Sequence, residues 1–391
     1  MSNGWMPFGR AVSLVKEKSA DRDFRIGLEA IEPKTGRLVD SPVTDYKGEG
    51  SAFEPGDLLF GKLRPYLAKA WLADSPGAAV GDFHVYRPNL SKVVPEYLRY
   101  ALLSRAFLDP VESSVFGAKM PRANWDFIRN VEVFLPALSD QRAIAEYLDL
   151  EIGGIDTLIA EQQRLVEMLR ERRAAVLQRA VRQGVCGERK LVDSGDPVVG
   201  SIPEAWSLTT VRRLADSLDS RRVPLSSEER TGRKGPYPYY GATAVIDSVD
   251  EYLFDEPLAL VAEDGFGLLL RSKPIAVAVE GRIWVNNHAH VLRPKQVPHT
   301  LLAARIEAES LVPYISGSRQ PKLTADALMG MRISFPPPEE WDEIVSYLEE
   351  QTTRIDSLII ESERLIELSQ ERRSALITAA VTGQIDVCQE A

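Results

Sequence analysis

Between Leu58 and Leu72 the sequence places Lys62, Arg64, Tyr66 and Lys69 in a loop-like stretch that contains no acidic residue. Cations so grouped neutralise phosphates, guanidinium groups also read guanine edges, and an aromatic ring packs on a sugar or base. A second basic stretch, Arg212 to Lys234, holds seven Arg or Lys against four acids. Its last members, Arg230, Arg233 and Lys234, run into Tyr237 and Tyr239, and Asn286 and Asn287 follow as amides suited to adenine. Lys119 and Arg122 stand 200 positions before Arg319 and Lys322, each pair in a loop-like stretch ahead of a short strand-like run. These fifteen residues are the candidate DNA contacts. For each of them a solvated surface side chain is the competing reading.

Catalytic chemistry has no such footing. The sequence contains no G-x-x-x-x-G-K-[ST] loop for a nucleoside triphosphate and no Asn-Pro-Pro-Tyr or Asp-Pro-Pro-Tyr for holding a flipped base. Tyr237-Pro-Tyr-Tyr240 has only a superficial likeness to the latter. His288-x-His290 on a strand would put two imidazoles on one face, half of a metal site, but no third ligand lies near in sequence. Glu263-Asp264 and Asp255-Glu256 lack the Glu-x-Lys that would make them nuclease carboxylates. No catalytic residue, metal or cofactor is expected.

The elements that position the candidate contacts are set by a repeat. At 391 residues the chain exceeds one ordinary core, so at least two domains are expected. Residues Gln141 to Val181 align without gaps on Trp341 to Val381, with seventeen identities in forty-one positions, including Asp156, Glu171, Arg172 and Arg173. Gly117, Pro121, Asp126 and Pro136 extend the same 200-residue offset upstream to Gly317, Pro321, Asp326 and Pro336. His84-Val-Tyr-Arg-Pro88 echoes His290-Val-Leu-Arg-Pro294 more weakly.

Both copies predict long helices. In the first, Leu148, Ile152, Ile155, Ile159, Gln162, Val166, Leu169, Arg173 and Val176 follow alternating steps of four and three. Leu348, Thr352, Ile355, Ile359, Ser362, Ile366, Ser369, Arg373 and Leu376 do the same in the second. This is a coiled-coil seam, with polar residues at matched positions that cost stability and can fix register. An intramolecular antiparallel pair is favoured over a partner in another chain because length and flaws match. Forty residues at about 1.5 Å each give a spacer of roughly 60 Å. Gly153 and Gly154 each weaken the first helix by about 1 kcal/mol relative to Ala.

The segments before the helices carry short strand-like runs. These are Asp57–Phe60, His84–Tyr86 and Val131–Phe134 in the first, and Leu258–Val261, Ile275–Val279 and Ile283–Val285 in the second. Shorter helices are expected at Pro95–Phe107 and His299–Glu309. The resulting organisation is a mixed domain over 1–137, a helix over 138–183, a Gly- and Pro-rich linker over 184–200, a second mixed domain over 201–337, and a helix and tail over 338–391.

Net charge is −10, yet the acids concentrate away from the basic stretches, as in Glu339, Glu340, Asp342, Glu343, Glu349 and Glu350. DNA therefore remains open as a partner, with a basic protein or local patch supplying part of the phosphate attraction. The two cysteines, Cys186 and Cys388, form no CxxC motif, and no run is long and apolar enough to span a membrane. A cytoplasmic protein without a membrane partner is expected.

Leu135-Pro-Ala-Leu-Ser-Asp-Gln-Arg-Ala-Ile-Ala-Glu-Tyr-Leu148 resembles the stretch that ends a recognition domain and begins a helix in the specificity (S) subunits of type I restriction-modification systems. Arg372-Arg373 and Ala380-Val-Thr-Gly-Gln-Ile-Asp386 resemble the end of that family's second helix. Ser201-Ile-Pro-Glu-Ala-Trp206 and Tyr237-Pro-Tyr-Tyr-Gly241 resemble segments of its second recognition domain. The resemblance implies an α+β fold: two mixed α/β target-recognition domains, separated by two long antiparallel coiled-coil helices, with an internal pseudo-two-fold repeat. It implies a non-catalytic subunit in which each domain reads half of a bipartite, asymmetric site on double-stranded DNA. The implied partners are two copies of an adenine methyltransferase (M) subunit and, through them, ATP-dependent restriction-translocase (R) subunits. A two-domain protein-interaction adaptor without DNA specificity is the alternative, and an enzyme in its own right is disfavoured by the missing motifs.

Overall fold

The computed structural model describes residues 4–39, 44, 48–114, 121–187, 189–271, 273–317 and 320–387. Two of the candidate contacts, Lys119 and Arg319, lie outside the described residues, as does Cys388. The chain divides into two compact units, one of residues 1–165 with 361–391 and one of residues 166–360. Two helices, Leu138–Gln183 and Trp341–Val381, each contribute residues to both units.

In the first unit, apolar runs too short for helices become strands. Leu58–Gly61 is buried at every position, as a central strand covered on both faces must be. It lies in an antiparallel sheet of order Val12–Leu14, Phe83–Pro88, Leu58–Gly61, Ala70–Leu72. A second sheet has the order Lys18–Ser19, Gly50–Phe53, Gly77–Ala79, Arg25–Ile26. The domain's first strand, Trp5–Pro7, pairs with its last, Glu132–Phe134, immediately before the long helix. The expected helix over 95–107 is instead two, Pro95–Leu103 and Arg105–Ser113. Ser104 is extended between them, and its hydroxyl accepts the Phe107 N–H to cap the second, the role for which serine outcompetes helix interior.

The second unit repeats this plan with different residues. One sheet runs Ala215–Ser217, Ala289–Pro294, Leu258–Ala262, Ala276–Val279, and another Val245–Val249, Tyr237–Tyr240, Arg282–Val285, Phe254–Asp255. Ser207–Thr210 pairs with Arg332–Phe335 as the first-to-last ladder. Part of the linker also forms a hairpin, Leu191–Asp193 against Ser201–Pro203.

Each domain is joined to helix through buried polar groups, and the two joints satisfy equivalent carbonyls with different chemistry. In the first unit the wholly buried Gln141 amide donates to the Pro136 and Lys92 carbonyls (2.9 and 3.0 Å) and accepts the Val94 N–H (2.9 Å). The Tyr97 hydroxyl serves the Phe134 carbonyl at 2.7 Å. In the second unit the Trp341 indole donates to Pro336 O at 2.9 Å, and Arg305 Nε donates to Ser334 O at 2.8 Å. Pro136 and Pro336, like Phe134 and Ser334, stand 200 positions apart. The repeat therefore preserves acceptors while the donors vary.

The helices pair antiparallel within each unit. Ile144, Leu148, Ile152 and Ile155 of the first helix share a core with Ile377, Ala380 and Val381 of the second. In the other unit Ala180 and Val181 share one with Ile344 and Leu348. The seam arginines expected to fix register each meet an aspartate. Arg373 Nε lies 2.8 Å from Asp156 Oδ1, and Arg173 Nε lies 2.8 Å from Asp356 Oδ1. A Cβ at Gly153 or Gly154 would meet nothing within 4 Å, so crowding does not account for those glycines.

Candidate nucleic-acid interface

In the first domain, three separate segments converge where the central strand Leu58–Gly61 ends. Lys62 N–H donates to Asp82 O, Arg64 N–H to Pro121 O, and Ala123 N–H to Lys62 O, all at 2.8–2.9 Å. Leu63 also forms a bridge with Arg122. The two basic segments that the sequence suggested separately are thus one surface. Asp82 sits among them, 3.7 Å from Lys62 Nζ and 2.9 Å from Arg122 Nη2. Arg64 is exposed and, among the described residues, pairs with no carboxylate. Tyr66 projects beside it, also exposed. Lys69 turns away, donating to the Leu28 carbonyl at 2.6 Å, and burial pulls its pKa down against the opposing charge of Glu29.

His84 lies across from Phe60 in the same sheet, with Nδ1 3.0 Å from the Tyr86 hydroxyl. Burial, with the charge of Lys62 as a lesser cause, lowers its pKa to about 4. A histidine in the unfolded chain titrates near about 6.5. The stability contributed by neutral His84 is therefore complete above that pH and lost as pH falls from about 6.5 toward 4. Urea unfolding of the first unit at pH 7.5 and 4.5 is expected to show this loss, and His84→Gln to reduce it; equal pH dependence in both proteins would contradict the assignment.

The second domain builds the same tip on the same backbone contacts. Glu263 N–H donates to His288 O (3.0 Å), Gly265 N–H to Pro321 O (3.0 Å), and Leu323 N–H to Glu263 O (2.8 Å), with a bridge between Asp264 and Lys322. The side chains differ in kind. Where the first domain has Lys62-Leu63-Arg64, the second has Glu263-Asp264-Gly265. Glu263 takes Arg222 at 2.6 Å and Lys322 at 3.0 Å, and Asp219 takes His290 Nδ1 at 2.5 Å. Burial opposes ionisation of both acids, but these partners hold both below the usual carboxylate range. His290 Nε2 donates to Leu323 O at 2.8 Å while its Nδ1 meets Asp219, so both its ring nitrogens are engaged, whereas the exposed His288 meets Asp264 through Nδ1 at 3.0 Å. No metal-holding cluster occurs among the described residues.

The remaining candidates of the second domain form a separate, charge-compensated group on its other sheet. Arg230 and Lys234 share Asp247, and Arg233 meets Asp250 at 3.0 Å and Glu251 at 2.6 Å while lying 4.9 Å over the Trp284 ring. Tyr237 stacks edge-on against Tyr252. Tyr239 is 0% exposed, and its hydroxyl accepts the Leu225 N–H at 3.0 Å; it is a core residue, not a surface contact. Arg230 lies over that ring and is largely buried. Asn286 is buried beside Tyr240, whereas Asn287 is exposed next to His288. Sequence reading missed Asp82 and Arg222, whose acid and base partners declare themselves only once the strands are paired.

Residues 203–370 match the family model described as the type I restriction modification DNA specificity domain. A putative type I restriction enzyme specificity subunit of Haemophilus influenzae is 33% identical over 140 residues, 36% of this chain and 35% of that one. The specificity subunit of a type I restriction enzyme of Methanocaldococcus jannaschii is 23% identical over 320 residues, 74% of this chain and 70% of that one. The chain thus spans about a third of the first relative and over two thirds of the second. A chain from a solved type I restriction-modification assembly superposes with a TM-score of 0.72 at 15% identity, covering 96% of this chain and 97% of the other, which shows the fold. The fold is that of a two-domain repeat protein with paired long helices. The family match itself rests on residues 203–370, which are similar to the type I restriction modification DNA specificity domain.

Proposed function

We propose that this chain is the DNA-specificity subunit of a type I restriction-modification complex, each domain reading one half of a bipartite, asymmetric site on double-stranded DNA. The observation that carries the reading is the pair of tips. The same three backbone contacts present Lys62, Arg64, Tyr66 and Arg122 in one domain and Glu263, His288, Asn287 and Lys322 in the other. One scaffold with two different side-chain sets suits two different half-sites. The long helices would set the distance between the halves and dock two methyltransferase subunits, with restriction-translocase subunits reached through them. Catalysis would reside in those partners, in the cytoplasm.

Mapping methylated adenines in a host with this chain and its cognate methyltransferase, against one lacking the chain, tests the reading. A split motif that vanishes with the deletion supports it, whereas an unchanged pattern leaves the protein-adaptor alternative. Within the complex, Arg64→Ala is expected to weaken binding across sequences and to reduce the slope of log K against log salt by about 1, the signature of one lost phosphate contact. An unchanged slope would remove Arg64 from the interface.

A further inference from the structure

Resting on that reading, the structure assigns to Phe266, Leu269 and Leu270 a role that no cation at the second tip fills: an apolar wedge that enters a base step of the half-site read by the second domain. The three side chains are 56%, 43% and 73% exposed, Phe266 at the start and Leu269 and Leu270 at the end of the single-turn helix Gly267–Leu270. Large apolar groups clustered at a loop apex are costly in water and mark a contact surface. Their place in the fold argues for DNA as the occupant. They follow Gly265, whose N–H makes the same bond to Pro321 that Arg64 makes to Pro121, so they occupy the site of the cationic and aromatic tip in the first domain. Cations flank them, Lys322 on the bridged segment and the exposed Lys273 a few residues downstream.

The tip is also held rigid. Leu268 is buried in the domain core as an anchor. Arg271, which adopts a left-handed backbone at φ +49°, donates to Glu309 O at 2.9 Å and to the Glu307 carbonyl, tying the loop to helix His299–Glu307. A non-glycine residue held in that conformation is strained and persists only where its surroundings enforce it. A preorganised head loses little freedom on binding. Apolar side chains on DNA-binding proteins pack on thymine methyls or insert between base pairs, partly unstacking them. Because Glu263 is neutralised by Arg222 and Lys322, little net charge opposes approach of the backbone phosphates.

The test uses the full chain with its cognate methyltransferase on duplexes of the mapped motif carrying 2-aminopurine at successive steps of the second-domain half. The wild type is expected to raise fluorescence at one step. Phe266→Ala with Leu270→Ala should abolish that rise and weaken binding at least tenfold with the salt slope unchanged, while Phe266→Leu with Leu270→Met should retain most of both. All these side chains are exposed, so thermal melting should be unaltered. Unchanged fluorescence and affinity with the complex intact would overturn the wedge, as would loss of methyltransferase binding, which would make the tip a protein-docking surface. If the wedge variants are silent while Arg64→Ala still shifts the salt slope, only this inference fails; if the wild type directs no methylation, both fall.

Discussion

Glu309→Gln is expected to destabilise the second unit by about 3–5 kcal/mol, the cost of leaving a buried charge without its partner. Arg305 is 0% exposed, and its Nη2 lies 2.6 Å from Glu309 Oε1. Arg182, near the end of the first long helix, places its Nη2 2.8 Å from Glu309 Oε2. One carboxylate thus stands between two guanidinium groups. Burial lowers the pKa of Arg305 and Arg182 adds repulsion, with Glu309 as the opposing influence. The isosteric amide keeps the shape, removes the charge and turns an NH2 toward one of the two cations. Gln cannot be accommodated by rotation, because both oxygens are engaged. Replacing the buried pair by Arg305→Met and Glu309→Leu together should cost much less than Glu309→Gln alone, since an apolar pair strands no charge, although Ser334 O loses its donor. Urea unfolding followed by a probe in the second unit decides this. A loss below about 1 kcal/mol for Glu309→Gln would mean that water or rearrangement relieves the charge and that the buried network is not what joins domain to helix.

The parts of this fold that the sequence discloses are those written in local periodicity or in the repeat. The seam of Leu148, Ile152 and Ile155 is legible because a helix buries every third or fourth residue whatever lies opposite. That Arg173 and Arg373 sit on the seam follows from the same count. Their partners do not, because the antiparallel register brings in residues 183 and 217 positions away on the other helix. Asp156 and Asp356 look, by themselves, like ordinary exposed acids. The tips show the same division. Lys62, Arg64 and Arg122 stand out by charge, but their convergence depends on the bond from Arg64 to Pro121 across the fold. Tyr239 shows the opposite failure. An aromatic beside basic residues reads alike whether it packs on DNA or in a core, and only its inward place on the strand Tyr237–Tyr240 distinguishes the two. In Phe266-Gly-Leu-Leu-Leu270 the sequence carries no signal that tells inward from outward apolar side chains, and in the structure Leu268 is buried while Phe266, Leu269 and Leu270 are exposed.

The two crossed ion pairs of the helices are identical in sequence, yet Asp156→Ala should destabilise its unit by about 3 kcal/mol and Asp356→Ala by no more than about 1 kcal/mol. The difference lies in what surrounds them. Arg373 and Asp156 have side chains 9% and 11% exposed, and Arg373 also donates to Lys34 O and Thr35 O, tying the helix to a loop of the first domain. Arg37 approaches Asp156 from that loop at 2.9 Å. Removing Asp156 therefore strands the buried Arg373 guanidinium without its carboxylate, with the half-exposed Arg37 left beside it. Arg173 and Asp356 are 37% and 46% exposed, so solvent screens both the attraction and its loss. Hydrogen exchange along the two long helices separates the outcomes: amides around residues 150–160 and 370–377 should lose protection in Asp156→Ala, while those around 170–176 and 352–358 should change little in Asp356→Ala. Equal losses would show that both pairs act mainly as register locks, whose strength depends on geometry rather than burial. The unequal result would mean that the repeat has kept one pair as a stabilising joint and the other chiefly as a marker of alignment.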